Sequence, residues 1–230
     1  MKTKQNPQSG NMLVYILGAV FLLGILFVVM RSGYQPGAGI DGERAMLYAS
    51  QIQKYAGELE TGVNMIMSNG KSETDLRFAH SKWAGYGTAG DTPSRQVFES
   101  TGGGVEWKAP PAGSQTTTTA WVITGSNTVD GVGSTCITAS CSDLVAILPN
   151  VQKEVCVTLN NNSGVNNPDG NPPQETGNVS LTPLFQGTFS YAQGIEVTGG
   201  HSFAKKEGCF EGGGTPAAST YHYYRVLMSR

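Results

Sequence analysis

The feature that most constrains this chain is an unbroken apolar run, Met12 to Met30 (MLVYILGAVFLLGILFVVM), with no charge, no proline and no strongly polar side chain. At 1.5 Å per residue, about twenty such residues span a hydrocarbon core ~30 Å thick. A helix lying on a soluble core would keep a polar face, and this stretch has none. Two kinds of segment carry such a run, a retained membrane span and a cleaved secretory signal. The run exceeds the roughly 7–15 residues of a signal core, and Arg31-Ser32-Gly33-Tyr34 offers no small-residue cleavage site. The sequence therefore predicts a retained transmembrane helix over 11–31. Lys2 and Lys4 precede the run, while Arg31 behind it is offset by Asp41 and Glu43. That asymmetry predicts a single-pass protein with a cytoplasmic N-terminus and a periplasmic or extracellular head.

The four cysteines, Cys136, Cys141, Cys156 and Cys209, all follow the run. An even number beyond a span reads as two disulfides in an oxidising compartment. Zinc is the competing reading, but the spacing shows no CxxC or HxxxH pattern. Every pairing stays open on spacing alone; we take Cys136 with Cys141 and Cys156 with Cys209. Charged residues are only 14% of the chain and the net charge is -2, which gives no basic footprint for nucleic acid. The 31 glycines and 11 prolines favour a turn-rich β domain over a helical bundle.

Beyond the run, Ser32 to Gly42 (SGYQPGAGIDG) reads as a hinge, since its glycines and proline break a helix. From Glu43 to Ser68, Ala45, Ala49, Ile52, Ala56, Leu59, Val63 and Ile66 recur at steps of three and four, the stripe of an amphipathic helix. Asp41 is its expected N-cap and Asn69-Gly70 its stop. Thr116 to Thr124 reads as a strand from its β-branched residues. Cys141 to Asn160 shows helical spacing through Leu144, Leu148, Val151, Val155 and Leu159, with Pro149 as a kink or a second start. Asn161 to Gly177 reads as a long polar loop, and Asn178 to Ser190 and Gly194 to Thr198 as strands. Thr220 to Ser229 reads as a final strand, with His222, Tyr224, Val226 and Met228 on one face and Tyr221, Tyr223, Arg225 and Leu227 on the other. The fold class is α+β: N-terminal transmembrane helix, hinge, amphipathic stalk helix, and an antiparallel β-sheet head with one or two short helices and two disulfides.

The first ten residues, Met1 to Gly10 (MKTKQNPQSG), are short, polar and basic, and end in glycine directly against the apolar run. This arrangement resembles the leader of type IV prepilins and of the pseudopilins of type II secretion. The resemblance implies cleavage by a prepilin peptidase between Gly10 and Asn11. It also implies that the freed helix, with Met12, Leu13, Tyr15, Leu17, Val20, Leu22 and Leu26, packs against other pilin-like subunits in a filament core. Tyr15 stands where most members of the family carry a glutamate, which points to a minor or divergent subunit. The domain order is then leader 1–10, assembly helix 11–31, hinge 32–42 and head 43–230.

The sequence carries no G-x-S-x-G, no phosphate loop and no CxxCH, and His80, His201 and His222 are scattered. The glycine triplets at 102–104 and 212–214 lack the lysine and Ser/Thr of a phosphate loop. The loop with Asn166, Asn167, Asp169 and Asn171 offers oxygens to calcium but only a single carboxylate, so ordinary turn chemistry is the expectation. The reading is a structural subunit of a pilus-like filament or secretion pseudopilus, not an enzyme, with no cofactor and no metal. Its expected partners are membrane lipid, other pilin-like subunits and the peptidase, with no nucleic acid. The alternative is a non-polymerising single-pass envelope protein whose head binds a partner or ligand.

Overall fold

The computed structural model describes residues 15–24, 40–134, 138–190, 193–196 and 204–230. Two units are treated separately, one ending at Glu43 and the other running from Arg44 to Arg230. In the first, residues 15–24 form a helix, α1. Among the described residues no helix is long and apolar enough to cross a membrane. This corrects the expected transmembrane helix over 11–31, and with it the single-pass placement with its head outside the cytoplasm. Met12, Leu13 and Leu26 lie outside the described residues, as do Gly10, Asn11 and most of the expected hinge.

The second unit is built on α2 (Ile40–Ser68). The helix begins inside the expected hinge, so Asp41 and Glu43 sit in its first turn, where their charge suits the helix N-terminus. The whole apolar stripe from Ala45 to Ile66 is buried. Each fully buried member of Leu or Ile size contributes about 1.5–3 kcal/mol. The stripe packs on one face of a sheet made of β1 (Val122–Val129), β2 (Asp143–Val151), β3 (Gln193–Ile195), β4 (Glu207–Glu211) and β5 (Tyr221–Met228), in the order β3-β1-β2-β5-β4.

β1, β2, β5 and β4 pair antiparallel, but β3 pairs parallel to β1, so the sheet is mixed and the expectation of a purely antiparallel head is corrected. β2 is the central strand and is apolar on both faces. Leu144, Ala146 and Leu148 face the α2 core, while Val145 and Ile147 face a second core. The helical reading of Cys141 to Asn160 is therefore half wrong. Residues four apart share a face on a strand as they do on a helix, so Leu144 and Leu148 satisfy both periods. The helix starts only after the strand, as α3 (Lys153–Ser163), and ends on Gly164 in the left-handed region (φ +69).

β1 begins six residues later than expected, since the threonines at 116–119 precede it. Asn178 to Ser190 contributes only a single bridge, Asn178 with Thr215, instead of a strand. In β5 the two faces alternate as expected up to Leu227. A register shift opposite Leu144 then turns Met228 toward the α2 core.

The sheet curls. Its second core of Val129, Val145, Ile147, Ile195, Phe210 and Tyr224 lies inside the curl, capped by Val179. One segment reaches both edge strands. Glu175 N–H donates to Glu211 O on β4 at 2.9 Å, and Thr176 N–H donates to Glu196 O just past β3 at 3.2 Å.

Cys156 on α3 is bridged to Cys209 on β4, which pins the short helix to the sheet edge. This is the disulfide described; two were expected. Cys141 is itself disulfide-bonded, and Cys136 lies outside the described residues. The first glycine triplet has a packing reason. A Cβ on Gly103 would sit 2.6 Å from Val97 O and 3.1 Å from Gly62 Cα, so glycine lets this loop lie directly on α2.

Candidate functional site

Three surfaces of the described residues carry unusual features. The first is α1. Tyr15, Ile16, Leu17, Val20, Phe21, Leu22 and Leu23 are 61–72% exposed, on a helical segment with almost no polar side chain. Isolated exposed apolar residues are ordinary, but a contiguous set on one helix marks an interaction surface. Tyr15, Leu17, Val20 and Leu22, expected as assembly residues, all belong to it.

The second is a charged clamp that locks α2 to the far edge of the sheet. Arg225 on β5 donates from Nε and Nη2 to Glu60 Oε2 on α2 at 2.9 and 2.7 Å, and from Nη1 to Glu207 Oε2 on β4 at 2.6 Å. Tyr223 O–H donates to the same Glu207 oxygen at 2.7 Å. Gln53 Nε2 on α2 and Ser163 Oγ on α3 reach Glu207 Oε1 at 3.0 and 3.1 Å. Burial works against the guanidinium's charge, but the bond to Glu60 and the nearby acidic groups outweigh it and hold Arg225 above its ordinary pKa. Sequence reading missed this cluster because 165 residues separate Arg225 from Glu60. Only the pair Glu207 and Arg225, opposite one another on the β4–β5 ladder, carries a local signal, an opposite-charge cross-strand pair.

The third surface is a pair of grooves along α2. The smaller, about 250 Å³, is lined by Ile52, Tyr55, Glu58, Pro110, Pro111 and Trp121. Tyr55 and Trp121 meet edge to face at 5.7 Å, Lys108 Nζ pairs with Glu58 at 2.7 Å, and the Lys108 N–H donates to Tyr55 Oη at 3.2 Å. Burial pushes the Tyr55 phenol up to about 12. The larger groove, about 640 Å³, has Gly62 and Gly104 on its floor and Glu58, Glu60, Lys108 and Arg225 around it. Its charges are largely spent on one another, in the Lys108–Glu58 and Arg225–Glu60 pairs.

Neither groove sets a nucleophile beside a base. His80 stacks on Trp107 at 5.4 Å with rings nearly parallel, and its Nδ1 accepts the Lys82 N–H at 3.2 Å. His222 is buried in β5, stacked on Phe210 and bonded through Nε2 to Thr220 Oγ1 at 2.7 Å. Burial lowers its pKa to about 4. His201 lies outside the described residues. Asp143 is fully buried at the start of β2. It accepts N–H bonds from Val129 at 2.9 Å and Arg230 at 3.1 Å, and burial raises its carboxyl to about 6 despite them.

The asparagine-rich loop turns its side chains on its own backbone and on α3. Asn167 donates to Val157 O at 3.2 Å and Asn161 Oδ1 at 2.9 Å, and its own Oδ1 accepts from Asn160 at 2.8 Å. Among the described residues no group of three or more His, Cys, Asp or Glu is placed to hold a metal. What the arrangement does chemically is hold elements together. No protein-family model matches the chain, and no curated protein or solved structure matches it.

Proposed function

We propose that this chain is a structural subunit of a type IV pilus-like filament or secretion pseudopilus, acting by self-assembly and not by catalysis. The observation that carries the reading is the uncovered apolar surface of α1, whose large side chains stay more than 60% exposed within the chain. Covering it with equivalent helices of neighbouring copies removes that apolar area from water. The leader resemblance at Met1 to Gly10 supports the same reading, because trimming after Gly10 would free the apolar helix for such packing. The head supports it in a second way: a helix with its apolar stripe buried on a curled sheet and clamped by Arg225, beside a second helix cross-linked to the sheet by Cys156–Cys209, is a block suited to stacking. The absent glutamate at Tyr15 favours a minor position in such an assembly.

The test is to shear surface filaments from cells expressing the chain and to measure the N-terminal mass of the recovered protein. The reading expects the chain in the sheared fraction, beginning at Asn11. A chain that never enters that fraction, alone or with co-expressed partner subunits, would refute it.

A further inference from the structure

The segment that closes the curled sheet contains a buried carboxylate with one oxygen unpaired. Glu175 is 1% exposed, and its Oε1 accepts the Gly177 N–H at 2.6 Å, while its Oε2 is buried with no donor. The packing around it is tight. A Cβ on Gly213 would lie 1.8 Å from Glu175 O, and a Cβ on Gly177 would lie 2.8 Å from Glu175 Oε1 and 2.9 Å from Gly194 O. The acidic neighbour acting on it is Glu196, just past β3. Glu211 on β4 turns its carboxylate away, to the Ser219 N–H at 3.0 Å. The 212–216 loop carries no charge, and among the described residues no cation pairs with Glu175.

Burial of an acid near a second acid, with one oxygen lacking a donor, favours the neutral form. We propose that the segment from Pro173 to Gly177 is a proton-held latch across the two sheet edges, closed while Glu175 carries a proton and loosened when it ionises. Burial pushes the Glu175 carboxyl up to about 7, the charge of Glu196 adds to the rise, and the backbone N–H groups of Gly177 and Glu196 oppose it. The folded state therefore holds a proton that the opened segment, with an ordinary glutamate, releases. Opening grows with pH between those two limits.

The test follows two quantities from pH 5 to 8 in the intact chain. One is the Glu175 carboxyl by NMR titration. The other is exchange of the Glu175, Thr176 and Glu211 amides, corrected for intrinsic rate and referred to Ile147 in central β2. The expected titration midpoint is about 7. Opening of the latch amides is expected to rise on the order of fifty-fold across that range and to exceed at every pH the opening of Ile147, which reports global unfolding. Glu175→Gln should remove the pH dependence. Should that variant fail to fold, Glu196→Gln decides instead, because loss of the repelling charge must lower the titration midpoint and shrink the total rise in opening. A midpoint below about 5, opening independent of pH, or a midpoint unmoved in Glu196→Gln overturns the proposal. So does closure restored at high pH by millimolar calcium or magnesium, which would make the pair a cation site.

Discussion

Replacing Arg225 with methionine tests whether the α2–sheet interface is held by charge or by packing alone. The aliphatic volume is largely kept, and three charge-assisted bonds are lost, to Glu60 twice and to Glu207 once. Side chains in the cluster are 19–23% exposed, which places them between the exposed pairs worth about 0–1 kcal/mol and the buried pairs whose disruption costs about 3–5. Two carboxylates lose their counter-charge, so Arg225→Met is expected to cost about 3 kcal/mol in urea unfolding. Glu60→Gln alone should cost less, because Arg225 keeps Glu207. The double-mutant cycle between Arg225 and Glu60 should give a coupling of about 1.5 kcal/mol, only partly reduced by salt. A coupling under about 0.3 kcal/mol, or a single-mutant cost inside experimental error, would show that the clamp is decoration on an interface held by Ile52, Leu59 and Tyr223.

Three further outcomes follow from the same structure. Replacing Cys156 and Cys209 together by alanine opens a loop with a sequence separation of 53, which on the chain-entropy estimate costs about 4 kcal/mol, measured as a lowered unfolding midpoint under non-reducing conditions. His222 binds its proton at about 4 in the folded chain against 6.5 unfolded, so the folded state holds fewer protons in that window. Its contribution is intact above 6.5 and is lost as pH falls toward 4. The loss is about 3 kcal/mol, and His222→Phe should flatten that limb of the pH–stability curve. Burial of Asp143 acts with the opposite sign, lowering stability as pH rises toward about 6, so only the variant isolates the histidine. Finally, Leu17→Arg with Leu22→Arg should abolish recovery of the chain in sheared filaments while leaving the head's unfolding midpoint unchanged, since both side chains are about two-thirds exposed. A shifted midpoint would show that α1 is part of the head's stability.

The amino-acid sequence by itself determined the face of α2 and the alternation of β5. Both rest on a local period that burial of one face enforces, and every residue of the α2 stripe is buried where the spacing placed it. It also determined that Cys156 and Cys209 were candidates for one bridge. It did not determine β2. A central strand buried on both sides has no alternation to read, and Leu144 and Leu148 fit a helix as well as a strand. Tertiary structure alone decided the rest. The parallel seat of β3, the Arg225 clamp and the latch at Glu175 all join residues far apart in the chain, where no short-range pattern records the contact. The apolar run from Met12 to Met30 looked sufficient for a span, but among the described residues no helix is long and apolar enough to cross a membrane. Its composition fixed a run with almost no polar side chain, whose described large residues are 61–72% exposed, while in the head the α2 stripe and the sheet bury each other's apolar faces because both belong to one packed core.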